Sequence, residues 1–268
     1  MWLFWSKPKT EEEVKLKRKY TLKRDVPNEN DLFHNFQIIN HIHNSIKCID
    51  LRSICPPVYN QLELGSCTAN SIAGAIEVDE IKQKDKSEYT PSRLFIYYNE
   101  RDKESTVNED SGASISDGIH TLNTIGYCPE SMWPYDIQNF KEKPNDLCYS
   151  IAKQCCPNVE YKRVVHNLNQ MKQCLINGYP IVFGMSVYQS FESAEVAKTG
   201  IVPVPKKDET CLGGHAILAV GFDDIKQIFI VRNSWGKDWG DSGYCYIPYE
   251  YMVNPEYVND LWTVTKVT

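Results

Sequence analysis

Three short stretches decide the reading of this chain: Gln61-Leu-Glu-Leu-Gly-Ser-Cys67-Thr68, Gly213-Gly214-His215-Ala216 and Arg232-Asn233-Ser234-Trp235-Gly236. The first runs into Ile72, Ala75, Ile76 and Val78, apolar positions spaced for a buried helix that opens at Cys67. The second opens a run, Ala216 to Phe222, that reads as a strand, and the third closes the next strand, Ile228 to Arg232. A thiol at a helix start faces free N–H groups and the positive end of the macrodipole, which favour a thiolate. A nearby imidazole can take up and return a proton, and a side-chain amide on its other nitrogen fixes ring and tautomer. A second amide just before the cysteine can join the cysteine's own N–H in holding an oxyanion. Cys67, His215, Asn233 and Gln61 are therefore the candidate nucleophile, base, orienter and oxyanion donor.

Outward from these stretches the chain divides by character. Helices are expected over Thr68 to Ile81, Pro91 to Arg101 and Ile115 to Ile125, the last stopped by Gly126. Strands are expected at Ile181 to Val187, Ala216 to Phe222, Ile228 to Arg232, Gly243 to Ile247 and Leu261 to Val267. A helical half followed by a strand-rich half makes the fold class α+β, with two lobes and a cleft between them. Residues 1–45 are more polar and read as an appendage, with a helix from about Thr10 to Tyr20 and one dense apolar patch at Phe33 to Ile39.

Composition excludes several classes. The 268 residues are 42% hydrophobic and 24% charged, ordinary for a globular chain with a core. A formal net charge of -6 speaks against general nucleic-acid binding. No P-loop or dinucleotide fingerprint occurs. The apolar run Met1 to Trp5 is too short for a signal-peptide core, and nothing reads as a secretory signal or a transmembrane segment. The 6 histidines are scattered, and His41-x-His43 has no carboxylate beside it, so neither a metal nor a cofactor is expected. The 10 cysteines form no Cys-x-x-Cys pair; their pairing is open, as is the compartment.

The quoted stretches resemble the papain family of cysteine peptidases. His215 and Asn233 follow Cys67 at the family's distances, Asn60-Gln61 stands six positions before the nucleophile, and Asn233-Ser-Trp-Gly236 is followed by Trp239-Gly240. Asp50-Leu-Arg52 is similar to the Asp-Trp-Arg near a mature N-terminus, and Trp133-Pro-Tyr135 to the Tyr-Pro-Tyr turn. The resemblance covers residues 48–268. It implies a two-lobe fold, with a helical lobe at about 60–150 and an antiparallel, barrel-like β lobe at about 160–268. It also implies an endopeptidase acting through an acyl-enzyme on protein or peptide substrates. Gly65, Ser66, Gly112, Ala113, Gly214, Trp235 and Trp239 would line the groove, and Ile115, Gly184 and Ala216 the main specificity pocket, with Asp260 near its floor. Leu64 and Thr68 stand where the family has a half-cystine and a tryptophan, which points to a divergent branch of the bacterial and giant-virus kind. Residues 1–45 would form a pro-segment-like extension before a peptidase domain at 46–268. Phe33 to Ile39 is expected in the groove, with Thr10 to Lys23 solvated and processing near Asn44 to Lys47. Other readings are an inactive papain-fold binding protein and a Cys–His acyl transferase.

Overall fold

A computed structural model describes residues 18–34, 45–84, 89–155 and 160–266. The helical half contains α1 (Cys67–Lys84), α2 (Arg93–Lys103), α3 (Ile115–Thr124) and α4 (Asp146–Cys155). Further helices, α5 (Leu168–Ile176), α6 (Ala194–Thr199) and α7 (Tyr249–Met252), interrupt the strand-rich half. The strands are β1 (Phe33–His34), β2 (Cys48–Asp50), β3 (Glu160–Val164), β4 (Ile181–Tyr188), β5 (Cys211–Asp223), β6 (Ile228–Arg232), β7 (Tyr244–Pro248) and β8 (Val258–Lys266).

The strands form one sheet in the order β1-β3-β8-β4-β5-β6-β7, with β2 on β5. The end strands β1 and β7 do not pair, so the expected barrel-like lobe is an open sheet. Its pairs are antiparallel except β1 on β3. The expected helix from Thr10 lies mostly outside the described residues, and 18–20 are not helical.

Why the helices form where they do is local. Ser92 caps α2 by accepting from the Phe95 N–H at 3.1 Å, and Ser114 caps α3 by accepting from the Asp117 N–H at 3.1 Å. Gly126, in the left-handed region at φ 88°, donates its N–H to the Leu122 carbonyl and ends the run after α3. Helix α1 is buried nearly all round: Ile72, Ala73, Ile76 and Val78 are all 1% exposed or less. Burying an isoleucine side chain contributes about 2 kcal/mol. Its buried acids find donors, Tyr59 and Thr90 for Glu77, Tyr127 for Glu80 and Gln83 for Asp79.

A small core cluster joins Phe95, Cys128, Cys148 and Ala152 in the helical half, and the two large clusters lie one on each face of the sheet. One joins Ile72, Ile76, Leu94 and Ile119 of the helices to Ala216, Leu218, Val220 and Trp262. The other joins Ile217, Ala219, Phe222, Phe183 and Val231 to Phe191, Trp235 and Trp239. From Ala216 to Val220, even positions face the helices and odd positions face away, the period-2 pattern of a strand covered on both sides; the register shift between Ala219 and Gly221 then turns Phe222 to the second cluster.

Arg101 organises the loop that follows α2. It is fully buried and donates to the carbonyls of Val107 at 2.8 Å, Glu109 at 3.1 Å and Tyr97 at 3.1 Å, and also to that of Phe140. Its guanidinium lies 4.1 Å from the Tyr97 ring centroid. The loop it holds ends at Gly112. Arg101→Met should strand several buried carbonyls, each worth about 1–3 kcal/mol. Urea unfolding should show a loss of at least about 3 kcal/mol; an unchanged midpoint would refute this role.

Candidate functional site

Helix α1 starts against β5. The Ser71 hydroxyl donates to the Ala216 carbonyl at 2.9 Å, pinning the first turns of the helix to the strand. Cys67 thus lies beside the His215-Ala216 step, where the Ala216 N–H, with those of Thr68 and Cys67, reaches its sulfur. On the neighbouring strand, Asn233 Oδ1 lies 2.9 Å from His215 Nε2. Among the described residues His215 Nδ1 has no hydrogen-bond partner, which leaves it as the free nitrogen of the ring. The ring of Trp235 stacks on His215, with centroids 5.1 Å apart and planes 24° apart. Phe191 and Trp239 back Trp235 at 5.4 and 5.0 Å. Trp239 is only 5% exposed and acts as support behind Trp235.

The loop carrying Gln61 is zipped onto the segment after β6. Gln61 N–H donates to the Ser234 carbonyl at 2.8 Å and Gly236 N–H to the Tyr59 carbonyl at 2.8 Å. Arg232 clamps the same loop through the carbonyls of Pro56 and Pro57, each at 2.6 Å. The Gln61 amide donates to the Leu64 carbonyl at 3.0 Å and accepts from the Ser234 hydroxyl. One amide N–H of Gln61 remains for another acceptor. The loop of Gln61 and Cys67 and the strand ends carrying His215 and Asn233, distant in sequence, are therefore brought together. Ser66 is turned inward: it is fully buried, 2.6 Å from the Tyr135 hydroxyl, with the Asn70 amide at 3.1 Å.

A stretch of the chain itself occupies the groove between helices and sheet. Leu22 N–H donates to the Gly214 carbonyl at 3.2 Å, and Lys23 N–H to the Ala113 carbonyl at 3.0 Å. Thr21 bridges Gly214 and Lys23 bridges Ser114, both in parallel register. Gly112 sits at φ 68°, and a Cβ there would lie 2.0 Å from the Thr21 carbonyl oxygen. Only glycine suits both the backbone and the approach. Leu22 enters the pocket expected from Ile115, Gly184 and Ala216. It packs on the cluster that holds Ile115 and Ala216, and a Cβ on Gly184 would come within 2.8 Å of its Cδ2. Tyr20 lies edge-on to His215 and Trp235, with centroids at 6.3 and 6.2 Å.

The groove occupant is thus residues 18–25 and not Phe33 to Ile39, as expected. Phe33 is 61% exposed and pairs with β3, while 35–39 lie outside the described residues. Lys23, expected in solvent, pairs with Glu104, and Lys19 with Asp110 at 2.6 Å. Asp25 anchors the end of the stretch. It accepts from Trp262 Nε1 at 2.7 Å and from the Ser116 N–H at 2.9 Å, and pairs with Arg163 at 3.0 Å. Asp260, expected at the pocket floor, accepts from the Asp25 N–H at 3.0 Å. A sequence signal for this occupant existed in Tyr20-Thr21-Leu22, which is strand-like, but the acidic and basic run before it favours a helix.

Burial dominates the electrostatics. It pushes the Cys67 thiol up to about 12, with Glu100 adding to the rise and the backbone N–H groups opposing it. Burial takes His215 down to about 4, against its bond to Asn233 and with a smaller push from the Arg18 charge. In this covered state both groups are neutral. Eight of the cysteines, among the described residues, are free thiols, Cys67 included.

The family model of papain family cysteine proteases matches residues 46–257. An uncharacterized peptidase C1-like protein of Acanthamoeba polyphaga mimivirus is 44% identical over 232 residues, 82% of this chain and 74% of that protein. A cathepsin L-like proteinase of Phaedon cochleariae is 30% identical over 73% of this chain and 58% of its own length. The crystal structure of xylellain, a cysteine protease from Xylella fastidiosa, superposes with a TM-score of 0.85 at 40% identity, over 94% of this chain and 97% of that one. Digestive procathepsin L 3 of Tenebrio molitor shares the fold, with a TM-score of 0.64 at 17% identity over 93% of this chain and 76% of that chain. With the thiol, imidazole and amide gathered at the meeting of α1 and β5, these likenesses make the chain a cysteine-type peptidase of the papain family.

Proposed function

We propose that the chain is an endopeptidase whose groove is closed by its own residues 18–25 until that stretch is displaced. One observation carries the reading: the stretch pairs its backbone with Gly214 on one side and Ala113 and Ser114 on the other, over the Cys67–His215 step. An extended backbone held from both walls is how such a groove would hold a peptide substrate. Residues 1–45 would then form the extension and 46–268 the peptidase domain.

The chemistry follows from the atoms at hand. With the groove open, Cys67 passes its proton to His215 Nδ1, and water and the start of α1 stabilise the thiolate. The thiolate attacks a peptide carbonyl carbon. The oxyanion is held by the Cys67 N–H and the remaining Gln61 N–H. Nδ1 returns its proton to the leaving amine, giving an acyl-enzyme. His215 then takes a proton from water, the hydroxide attacks the thioester, and the acid leaves. Asn233 accepts from Nε2–H throughout, which keeps Nδ1 turned to the sulfur, and Trp235 covers that bond.

Cys67→Ala and His215→Ala should each abolish hydrolysis of a quenched peptide library. Asn233→Ala should retain more activity than either, and Gln61→Ala should lower turnover by about 10²–10³. Hydrolysis by Cys67→Ala at the wild-type rate would overturn the assignment.

The pH dependence separates covered from open forms. A raised thiol and a lowered imidazole oppose the proton transfer, so iodoacetamide should label Cys67 slowly in the intact chain across mildly acidic and neutral buffer. Leu22→Asp, which puts a charge in an apolar pocket, should speed labelling and carry the fast rate into mildly acidic buffer, as a thiolate held below its usual ~8.5 requires. Mass spectrometry of the labelled peptide measures both; equal rates and equal pH profiles would mean that residues 18–25 do not cover the site.

A further inference from the structure

Beyond the nucleophile, the groove carries a carboxylate that the chemistry above does not use. Glu192 closes the short turn Gln189–Glu192 after β4. Both of its hydrogen-bond partners among the described residues come from the stretch in the groove: Arg18 Nη1 at 3.3 Å, and the Tyr20 hydroxyl. The Arg18 guanidinium also lies 3.9 Å over the ring of Trp235. The arginine is therefore held between a carboxylate and an indole face, and its side chain is only 19% exposed.

The position of this clamp relative to the reacting atoms gives it meaning. Thr21 crosses the groove at Gly112 and Gly65, next to Cys67, and Tyr20 lies beside His215. Arg18 stands further along, on the side of Trp235, whose ring stacks on His215. The imidazole protonates the leaving amine, so the Trp235 side of His215 is where the leaving half of a substrate lies.

Resting on the peptidase reading above, we infer that Glu192 and Trp235 form a subsite that selects an arginine one to three residues beyond the scissile bond. Arg18 is the internal occupant of that subsite. When the stretch lifts, Glu192 loses both partners at once and faces the groove beside an aromatic plane. A guanidinium satisfies both surfaces together, bonding the carboxylate through its N–H groups while its flat face stacks on the indole. A lysine offers a point charge without the plane and should rank second. A glutamine keeps hydrogen bonding without charge, and a glutamate is repelled. Charge-assisted pairing and stacking in a partly covered site together support about a tenfold preference for arginine over glutamine.

The test uses full-length chain with the stretch displaced by Arg18→Gln and Leu22→Asp, and Cys67→Ser added for binding measurements. If Leu22→Asp prevents folding, Lys23→Glu, which faces Glu104, replaces it. Matched fluorescent peptides carry Arg, Lys, Gln or Glu at the first, second or third position after a common cleavage sequence. Anisotropy should give arginine about tenfold tighter binding than glutamine at one of these positions. Glu192→Gln should bring that ratio close to one, and the same ratio should appear in kcat/KM when Cys67 is restored. Equal binding of all peptides, no binding at all, or an arginine preference that survives Glu192→Gln would overturn the subsite. A binding preference lost in Glu192→Gln, in a protein with Cys67 that hydrolyses no peptide, would keep the subsite and overturn the peptidase reading instead.

Discussion

Everything at this site depends on the seating of the first turns of α1 on the middle of β5. Ala69, Ala73 and Ile72 are fully or almost fully buried there, and the Ser71 hydroxyl bonds the Ala216 carbonyl at 2.9 Å. Small side chains let helix and strand approach closely, so that a cysteine at the helix start and a histidine on the strand come together. Neither residue could do so alone: they lie 148 positions apart, and the sheet order places β5 centrally, between β4 and β6. The adjoining strand β6 then delivers Asn233 beside His215, because Gly221 to Asp223 pair with Ile228 to Ile230 across a tight hairpin.

The charge state of that pair is a contest between burial and local dipoles. The rise of the thiol to about 12, already net of the nearby backbone N–H groups, corresponds to roughly 4 kcal/mol against the thiolate. A helix start contributes about 0.3–1 kcal/mol in favour, at most ~2. Burial therefore wins while residues 18–25 cover the groove, and the site rests as thiol and imidazole. Uncovering admits water and removes the Arg18 charge, which itself disfavours an imidazolium. In the closed form proposed above, the stretch acts through solvation as well as through access.

The candidate site residues were legible because each sits in a local pattern with a mechanism: cysteine at a helix start, His-Ala opening an apolar strand, Asn before a Ser-Trp-Gly turn. The long helices and strands were legible for the same reason, through their periodicity. The groove occupant was not. Its hold comes from backbone pairs with Gly214 and Ala113, which any sequence can make, and from ion pairs such as Lys23–Glu104, 81 positions apart. Glu192 was equally silent, since a lone acid in a short turn reads as a solvated side chain. The open sheet escaped notice because closure depends on whether β1 and β7 meet, and no local pattern encodes that.

The two departures beside the nucleophile also find a physical account. Leu64, where the family has a half-cystine, is 4% exposed and joins the core cluster with Ile72 and Leu94, so packing holds the turn before Cys67. Thr68, where the family has a tryptophan, donates its hydroxyl to Glu100 Oε2 at 2.7 Å. Glu100 is fully buried, and burial raises its carboxyl well above the usual range, against the Thr68 bond and the nearby Arg101 charge. Its Oε1 has no hydrogen-bond partner among the described residues, and the missing Cβ of Gly118 leaves it room, since a Cβ there would lie 2.3 Å away. The charge of an ionised Glu100 is part of what raises the Cys67 thiol. A neutral Glu100 avoids that, because burial keeps its proton on. The acid of the Thr68–Glu100 pair is thus silenced by the same dryness that surrounds the thiol, and the backbone N–H groups of Ala216, Thr68 and Cys67 remain to favour the thiolate.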